Sequence, residues 1–458
     1  MPYTKGAHAA IPLPLPLLLL LSLSAAAAFL APSPLLLARA SSAQRTQQQQ
    51  QQQRARTMGV ISLRAKTTSS AGQGTMQERE GTLLDGRVLH PGSQGPGWFD
   101  DRTAAMPVVL PPDEKAGRSK WRMYYYGRPD KMWAKGHNAF LPTGQSGLAE
   151  SDDGLRWSRV KGPLAGGAVM LPGEKEEDLD AVQIGVTDVI HTEKGDGQGY
   201  VMHYLGGSSE PVQMGTAPGM GPLVGFMMRC LTATSNDGVT WTKSAEPLVS
   251  PGAEGEWDSL FSSWPRVLPV KEGETDGPWL VTYHALRPPE SEGVPARWAA
   301  GTAISANKYA LGGAVKRGRA LEGGPPGSWD ERGVGTRHVI HYEGGLVMFY
   351  EAVSADGGHS IGLARSEDGG VTWEKMMVPG KSEPGGPVFE ARRGSDVPCW
   401  DDNVVGTPWV VKMPQGDGYR LYYVGTGTSA DNLGTVAIGC AESEGSDITK
   451  WRRVGHCS

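Results

Sequence analysis

Acidic side chains stand at recurring points of this 458-residue sequence: Asp100 and Asp101, Asp180 and Asp188, Asp258, Asp330 and Glu331, and Asp401 and Asp402. Two carboxyl groups brought together, one protonated and one ionised, can donate a proton to a leaving group and activate or supply a nucleophile. A third acid nearby would raise the proton donor's pKa by like-charge repulsion. Arg102, Trp264, Arg266, Arg332, Arg337, His338 and Trp409 lie in the same stretches and could hold a polar ligand against such a pair.

These residues belong to a repeating phrase: a Trp-Asp or acid pair, a short gap, then a β-branched run. It appears at Trp98 to Asp101 before Pro107 to Leu110, at Asp178 to Asp180 before Asp188 to Ile190, and at Trp257-Asp258 before Pro265 to Leu268. It returns at Trp329 to Glu331 before His338 to Ile340, and at Trp400 to Asp402 before Pro408 to Val411. Each copy precedes a second strongly apolar or aromatic run: Trp121 to Tyr126, Tyr200 to Tyr204, Trp279 to Tyr283, Leu346 to Tyr350 and Tyr419 to Tyr423. A third run leads into an Asp-Gly turn closed by Trp, as in Ser151 to Trp157, Ser235 to Trp241 and Ser366 to Trp373. Asp-Gly between β-prone runs marks a hairpin, so Asp153, Asp237 and Asp368 read as turn residues.

Each repeat therefore amounts to about four strands, and no stretch sustains a helical period. A four-stranded sheet cannot bury both faces alone. The expected fold is all-β, a five-bladed β-propeller with four antiparallel strands per blade, blades starting near Trp98, Asp178, Trp257, Trp329 and Trp400. The first strand of every blade would face the axis, where side chains from different blades converge.

With its Trp-Asp inner-strand phrases, Tyr-rich second strands and Ser-x-Asp-Gly-x-x-Trp hairpins, the stretch from Trp98 to Trp451 resembles the arabinanase, levansucrase and invertase superfamily of glycoside hydrolases. The resemblance implies a glycoside hydrolase or transglycosidase acting on a carbohydrate without a cofactor or metal. By blade order it implies Glu331 as general acid and Asp101 or Asp258 as base or nucleophile, with Asp100, Asp188, Trp264, Arg266, Arg337, His338, Asp401 and Asp402 binding substrate. The hairpin at Ser366 also fits the Asp-box of six-bladed sialidase-type propellers, but five inner strands are present. Hydrolytic members hold a carboxylate directly before the inner-strand Pro. Here that point carries Met106, Trp264 and Thr407, with Thr187 and Arg337 where Pro is absent, and the sequence has no Asp-Pro. A non-catalytic carbohydrate-binding propeller is therefore the alternative, in which each repeated Asp ties down the approach to its strand. His203, His284 and His338 read as core or channel histidines rather than metal ligands.

Seven of the 44 basic residues precede the first acid, Glu78, leaving 37 basic against 49 acidic residues, a balance that argues against a nucleic-acid partner. The four cysteines, Cys230, Cys399, Cys440 and Cys457, show no metal-binding spacing and argue against a disulfide framework. Residues 1–28 read as a signal peptide and 29–77 as a disordered, acid-free transit peptide joined through Phe29, the form of a bipartite plastid presequence. Plastid targeting is expected, with secretion as the alternative, and residues 78–458 would form the propeller, a monomer without a membrane span once the leader is removed.

Overall fold

The computed structural model describes residues 85–455 apart from 115–116, 130–142, 194, 198, 213–221, 288–295, 395–398 and 429–434. The leader and its proposed cleavage points lie outside these residues. Among the described residues there is no α-helix, and the strands form five consecutive antiparallel blades.

The inner strands are Thr103–Leu110, Gln183–His191, Ser263–Pro269, Gly333–Tyr342 and Val404–Lys412. Each lies against the inner strand of the next blade, and the fifth lies against the first. The propeller closes on itself in this way. The second strands, Trp121–Arg128, Tyr200–Gly207, Trp279–Arg287, Gly345–Val353 and Tyr419–Thr426, are almost wholly buried, because both faces of each sheet pack on neighbouring blades. Third strands follow at Gln145–Ser151, Met228–Ser235, Arg297–Ser305, His359–Ser366 and Val436–Glu444. Both ends of the described chain meet on blade 5. Arg87–Leu89 and Asp447–Arg453 each pair antiparallel with Val436–Glu444, so the ring is fastened by hydrogen bonds between its two ends.

The repeated Asp has the same surroundings in four blades. Tyr125, Tyr204, Tyr283 and Tyr423 of the second strands donate their hydroxyls to Asp100, Asp180, Asp258 and Asp401 at 3.0, 3.1, 3.0 and 2.8 Å. A cation from the outermost strand pairs with each: Arg159 with Asp100, Lys243 with Asp180, Lys316 with Asp258 and Arg453 with Asp401, at 2.6, 2.6, 2.7 and 2.6 Å. Lys375 pairs with Asp330 in blade 4. One carboxylate thus ties the approach of the inner strand to the second and outer strands. The preceding aromatic ring lies over a third-strand glycine. A Cβ at Gly301, Gly362 or Gly439 would meet Trp257, Trp329 or Trp400 at 2.7, 2.6 or 2.7 Å. In blade 1 this place is taken by Phe99 over Gly147, not by Trp98. Lys316→Ala should leave Asp258 buried without its cation and lower stability by about 2 kcal/mol, read as a fall in thermal midpoint.

The Asp-Gly hairpins join blades. Gly154 O accepts from Tyr422 at 2.7 Å, and Gly238 O accepts from Tyr124 at 2.9 Å. Within each turn the Asp carboxylate takes backbone amides, as Asp237 Oδ1 does from Val239 and Thr240 at 2.8 and 2.7 Å. The Thr240 and Val239 amides hold Asp237 down to about 2, and the Thr372 hydroxyl and amide hold Asp368 there as well. Such a lowered carboxyl contributes stability that is present above its unfolded value and is lost as pH falls toward 2. Asp237→Asn should therefore flatten the decline of the thermal midpoint between pH 4 and 2.

Cys230 and Cys440 are free and buried, whereas Cys399, beside Trp400, is disulfide-bonded. Sequence spacing alone did not reveal this bond.

Candidate active site

Every inner strand breaks its pairing with the second strand near its middle. The register shifts lie between Ala105 and Val108, Val186 and Asp188, Ser263 and Arg266, Val334 and Arg337, and Gly406 and Trp409. Proline cannot donate to the ladder, so Met106-Pro107, Trp264-Pro265 and Thr407-Pro408 interrupt the pairing at these bulges. Met106, Trp264 and Thr407 have φ of 52, 61 and 52°, left-handed backbone that costs a non-glycine residue free energy. Strain repeated at one level of the axis fits a functional layer.

Counting from the repeated Asp shows where the blades lacking Pro fall in register. Asp330 lies as far before Arg337 as Asp258 before Pro265, so Thr336, not Arg337, occupies the bulge of blade 4. The same count puts Thr187 at the Pro position of blade 2. The residues one step further on are Val108, Asp188, Arg266, His338 and Trp409. Four of them reach the backbone of the next inner strand. Val267 N–H donates to Asp188 Oδ2 at 2.9 Å, Arg266 Nε donates to Arg337 O at 3.0 Å, Val410 N–H donates to His338 Nδ1 at 3.1 Å, and Trp409 Nε1 donates to Val109 O at 2.9 Å. The Arg266 guanidinium lies over the Trp409 ring at 4.6 Å, and His338 lies 4.1 Å from the same ring. Arg337 grips the bulges of blades 3 and 4, donating to Trp264 O at 2.6 Å and to Gly335 O at 3.2 Å.

Thus five of the residues expected from the sequence to bind substrate, Asp188, Trp264, Arg266, Arg337 and His338, converge on the axis. The others are placed elsewhere. Asp100 and Asp401 sit in the Tyr-cation triads, and Asp402 accepts from the Thr428 amide and hydroxyl at 2.7 and 3.1 Å. Of the expected catalytic trio, Asp258 is enclosed by Tyr283 and Lys316, Asp101 accepts from the Gly97 amide at 2.6 Å, and Glu331 accepts from the Gly327 amide at 2.5 Å. Each of the three is bonded within its own blade, and none is bonded to another.

Burial sets the electrostatics of the axial layer. It pushes Asp188 up to about 6, with Arg266 opposing the rise only in part. It pulls Arg266 down to about 10, while burial and then Arg266 bring Arg337 to about 9. His338 and His284 lie well below their ordinary value, first through burial and then through the nearby Arg266 and Arg337 respectively. The histidines therefore stay neutral. Asp188 is the carboxyl of this layer poised to hold or release a proton near neutrality.

A second carboxylate comes from outside the inner strands. Glu351 lies near the end of the second strand of blade 4, where the other blades place Tyr126, Leu205, His284 and Val424, and it is 4 % exposed. His359 Nδ1 lies 2.6 Å from Glu351 Oε1. Thr336 Oγ1 and the Thr407 amide, the latter at 2.9 Å, both donate to Oε2. Glu351 thus links the bulges of blades 4 and 5. A Cβ at Gly406 would fall 2.4 Å from its carboxyl carbon, so only glycine admits the carboxylate there. On the other side, a Cβ at Gly335 would meet nothing closer than 3.8 Å. The nearest atom there is the backbone oxygen of Glu351, so the open space lies beside the bulge of blade 4. Sequence reasoning missed Glu351 because it follows a run that reads as core; the only signal was an acid where the other second strands have apolar residues or His.

No protein-family model matches the sequence, and no curated protein matches it. Solved structures do. A glycosyl hydrolase from Bacteroides ovatus superposes with a TM-score of 0.51 at 15% identity, over 83% of this chain and 96% of that one. A second structure, described as a glycoside hydrolase, superposes with a TM-score of 0.51 at 16% identity, over 81% and 94% of the two chains. At this identity the likeness is one of fold: the chain has the propeller architecture of these proteins. Among the described residues, no group of three or more His, Cys, Asp or Glu side chains could hold a metal ion, and no helix is long and apolar enough to cross a membrane.

Proposed function

We propose that the protein cleaves or transfers glycosidic bonds, with Asp188 as proton donor and Glu351 as the ionised carboxylate. The observation that carries this reading is the presence of two buried carboxyl groups beside the inner-strand bulges, Asp188 in blade 2 and Glu351 between blades 4 and 5. Burial raises Asp188 to about 6, whereas the Glu351 carboxylate accepts from the Thr336 hydroxyl, the His359 ring and the Thr407 amide. In glycoside cleavage the first would protonate the leaving oxygen, and the second would activate water or attack the anomeric carbon. The propeller likeness to glycoside hydrolases and the open space at Gly335 support a carbohydrate substrate.

These roles shift the chemistry from Asp101, Asp258 and Glu331 to the axial layer, whose other polar members, Trp264, Arg266, Arg337 and His338, shape its floor. Screening aryl glycosides against the wild type and Gly335→Phe tests the location. The bulky ring should fill the space beside the blade-4 bulge and lower kcat/KM about a hundredfold with the thermal midpoint nearly unchanged. Full activity of the variant would move the site elsewhere. A binding propeller without turnover is the second reading, favoured by the lack of a carboxylate in the inner-strand bulges themselves. Glycan binding by a chain inactive on every glycoside would support it. For residues 1–77 we keep plastid targeting, supported by the acid-free leader composition; a fluorescent fusion of that segment found only outside the cell would refute it.

A further inference from the structure

We infer that His359 is a positioning residue for Glu351, leaving one face of its carboxylate available for chemistry; the inference rests on the role given to Glu351 above. An ionised carboxylate offers about four acceptor positions and no donor. A backbone amide can only donate, so Oε2 must accept from Thr407 N, and the Thr336 hydroxyl takes its second position. Oε1 then accepts from the ring of His359, which fixes the proton of that contact on Nδ1. Three positions are filled, and the fourth, on Oε1, is left.

The geometry of this arrangement depends on two blades. Thr336 and His359 belong to the inner and third strands of blade 4, whereas Thr407 lies in the left-handed bulge of blade 5. Without His359, the two donors on Oε2 still attract that oxygen, but Oε1 loses the ring nitrogen that holds it, and the terminal torsion of Glu is soft. His359 is 2 % exposed, so on its side of the carboxylate water cannot readily replace the lost donor. A misplacement on the order of 1 Å in a reacting group lowers rates by about a hundredfold.

The test uses His359→Leu and His359→Asn in the full chain. Asn places an amide donor near the position of Nδ1, whereas Leu keeps bulk without a donor. On a glycoside that the wild type turns over, Leu should lower kcat about a hundredfold with KM within about twofold, and Asn should recover most of the loss. Equal kcat loss in both variants, or none in Leu, would overturn the inference while an inactive Glu351→Gln left the parent reading standing. An active Glu351→Gln would remove both. A crystal structure of His359→Leu gives a readout independent of turnover: the carboxylate should have rotated away from its original Oε1 position, and an unmoved carboxylate would refute the positioning role.

Discussion

Glu351→Gln is expected to lower kcat at least about a thousandfold, while the protein stays folded and its thermal midpoint falls by only a few degrees. Gln retains the shape of Glu and one acceptor oxygen, so the Thr407 amide keeps its partner across blades 4 and 5. The negative charge is lost. A charge that stabilises or attacks a developing oxocarbenium centre acts chiefly in the transition state, so its removal appears in kcat rather than KM. Glu351→Ala should behave differently: it takes the carboxylate acceptor from the Thr336 hydroxyl and from His359 Nδ1, at about 1 to 3 kcal/mol for each buried group left unpaired, while the Thr407 amide keeps its 3.1 Å bond to Thr336 Oγ1. The comparison separates charge from architecture.

The second large effect is expected at Asp188. As proton donor it must be protonated, so kcat/KM should fall as pH rises through about 6. Asp188→Asn should lose about a hundred- to ten-thousandfold on substrates with poor leaving groups and little on activated aryl glycosides, whose leaving groups need no proton. Stability provides an independent check. A carboxyl raised by burial contributes stability that is fully present below its unfolded pKa, near 3.8, and is lost as pH rises to about 6. Asn keeps an acceptor for the Val267 amide without that charge. The variant should therefore gain thermal stability relative to the wild type between pH 4 and 7, and a constant difference across that range would contradict the raised pKa.

The fold was legible because the same physical demands recur in every blade. A Tyr hydroxyl and a cation need a carboxylate, an indole needs a bare third-strand glycine, and the hairpin needs Asp-Gly. Those demands also made the repeated acids the most conspicuous chemistry in the sequence, although Asp100, Asp180, Asp258 and Asp401 are engaged in structural triads. The axial register was legible only where proline marked it. In blades 2 and 4 no proline stands at the bulge, so the alignment slipped by one residue, exchanging Arg337 for Thr336. Glu351 was hidden for another reason: its partners Thr336, His359 and Thr407 are scattered over blades 4 and 5 and meet only when the ring closes. Closure by Arg87–Leu89 was equally invisible, since a three-residue strand before the first repeat has no periodic signal.

The most direct test of the axial site is a paired measurement of kcat and thermal midpoint for Glu351→Gln and Asp258→Asn on one glycoside substrate. The axial assignment predicts that Glu351→Gln loses kcat and largely keeps its midpoint, whereas Asp258→Asn loses midpoint through its Tyr283 and Lys316 contacts and keeps the kcat of its folded fraction. The reverse pattern, a stable but inactive Asp258→Asn beside an active Glu351→Gln, would contradict it.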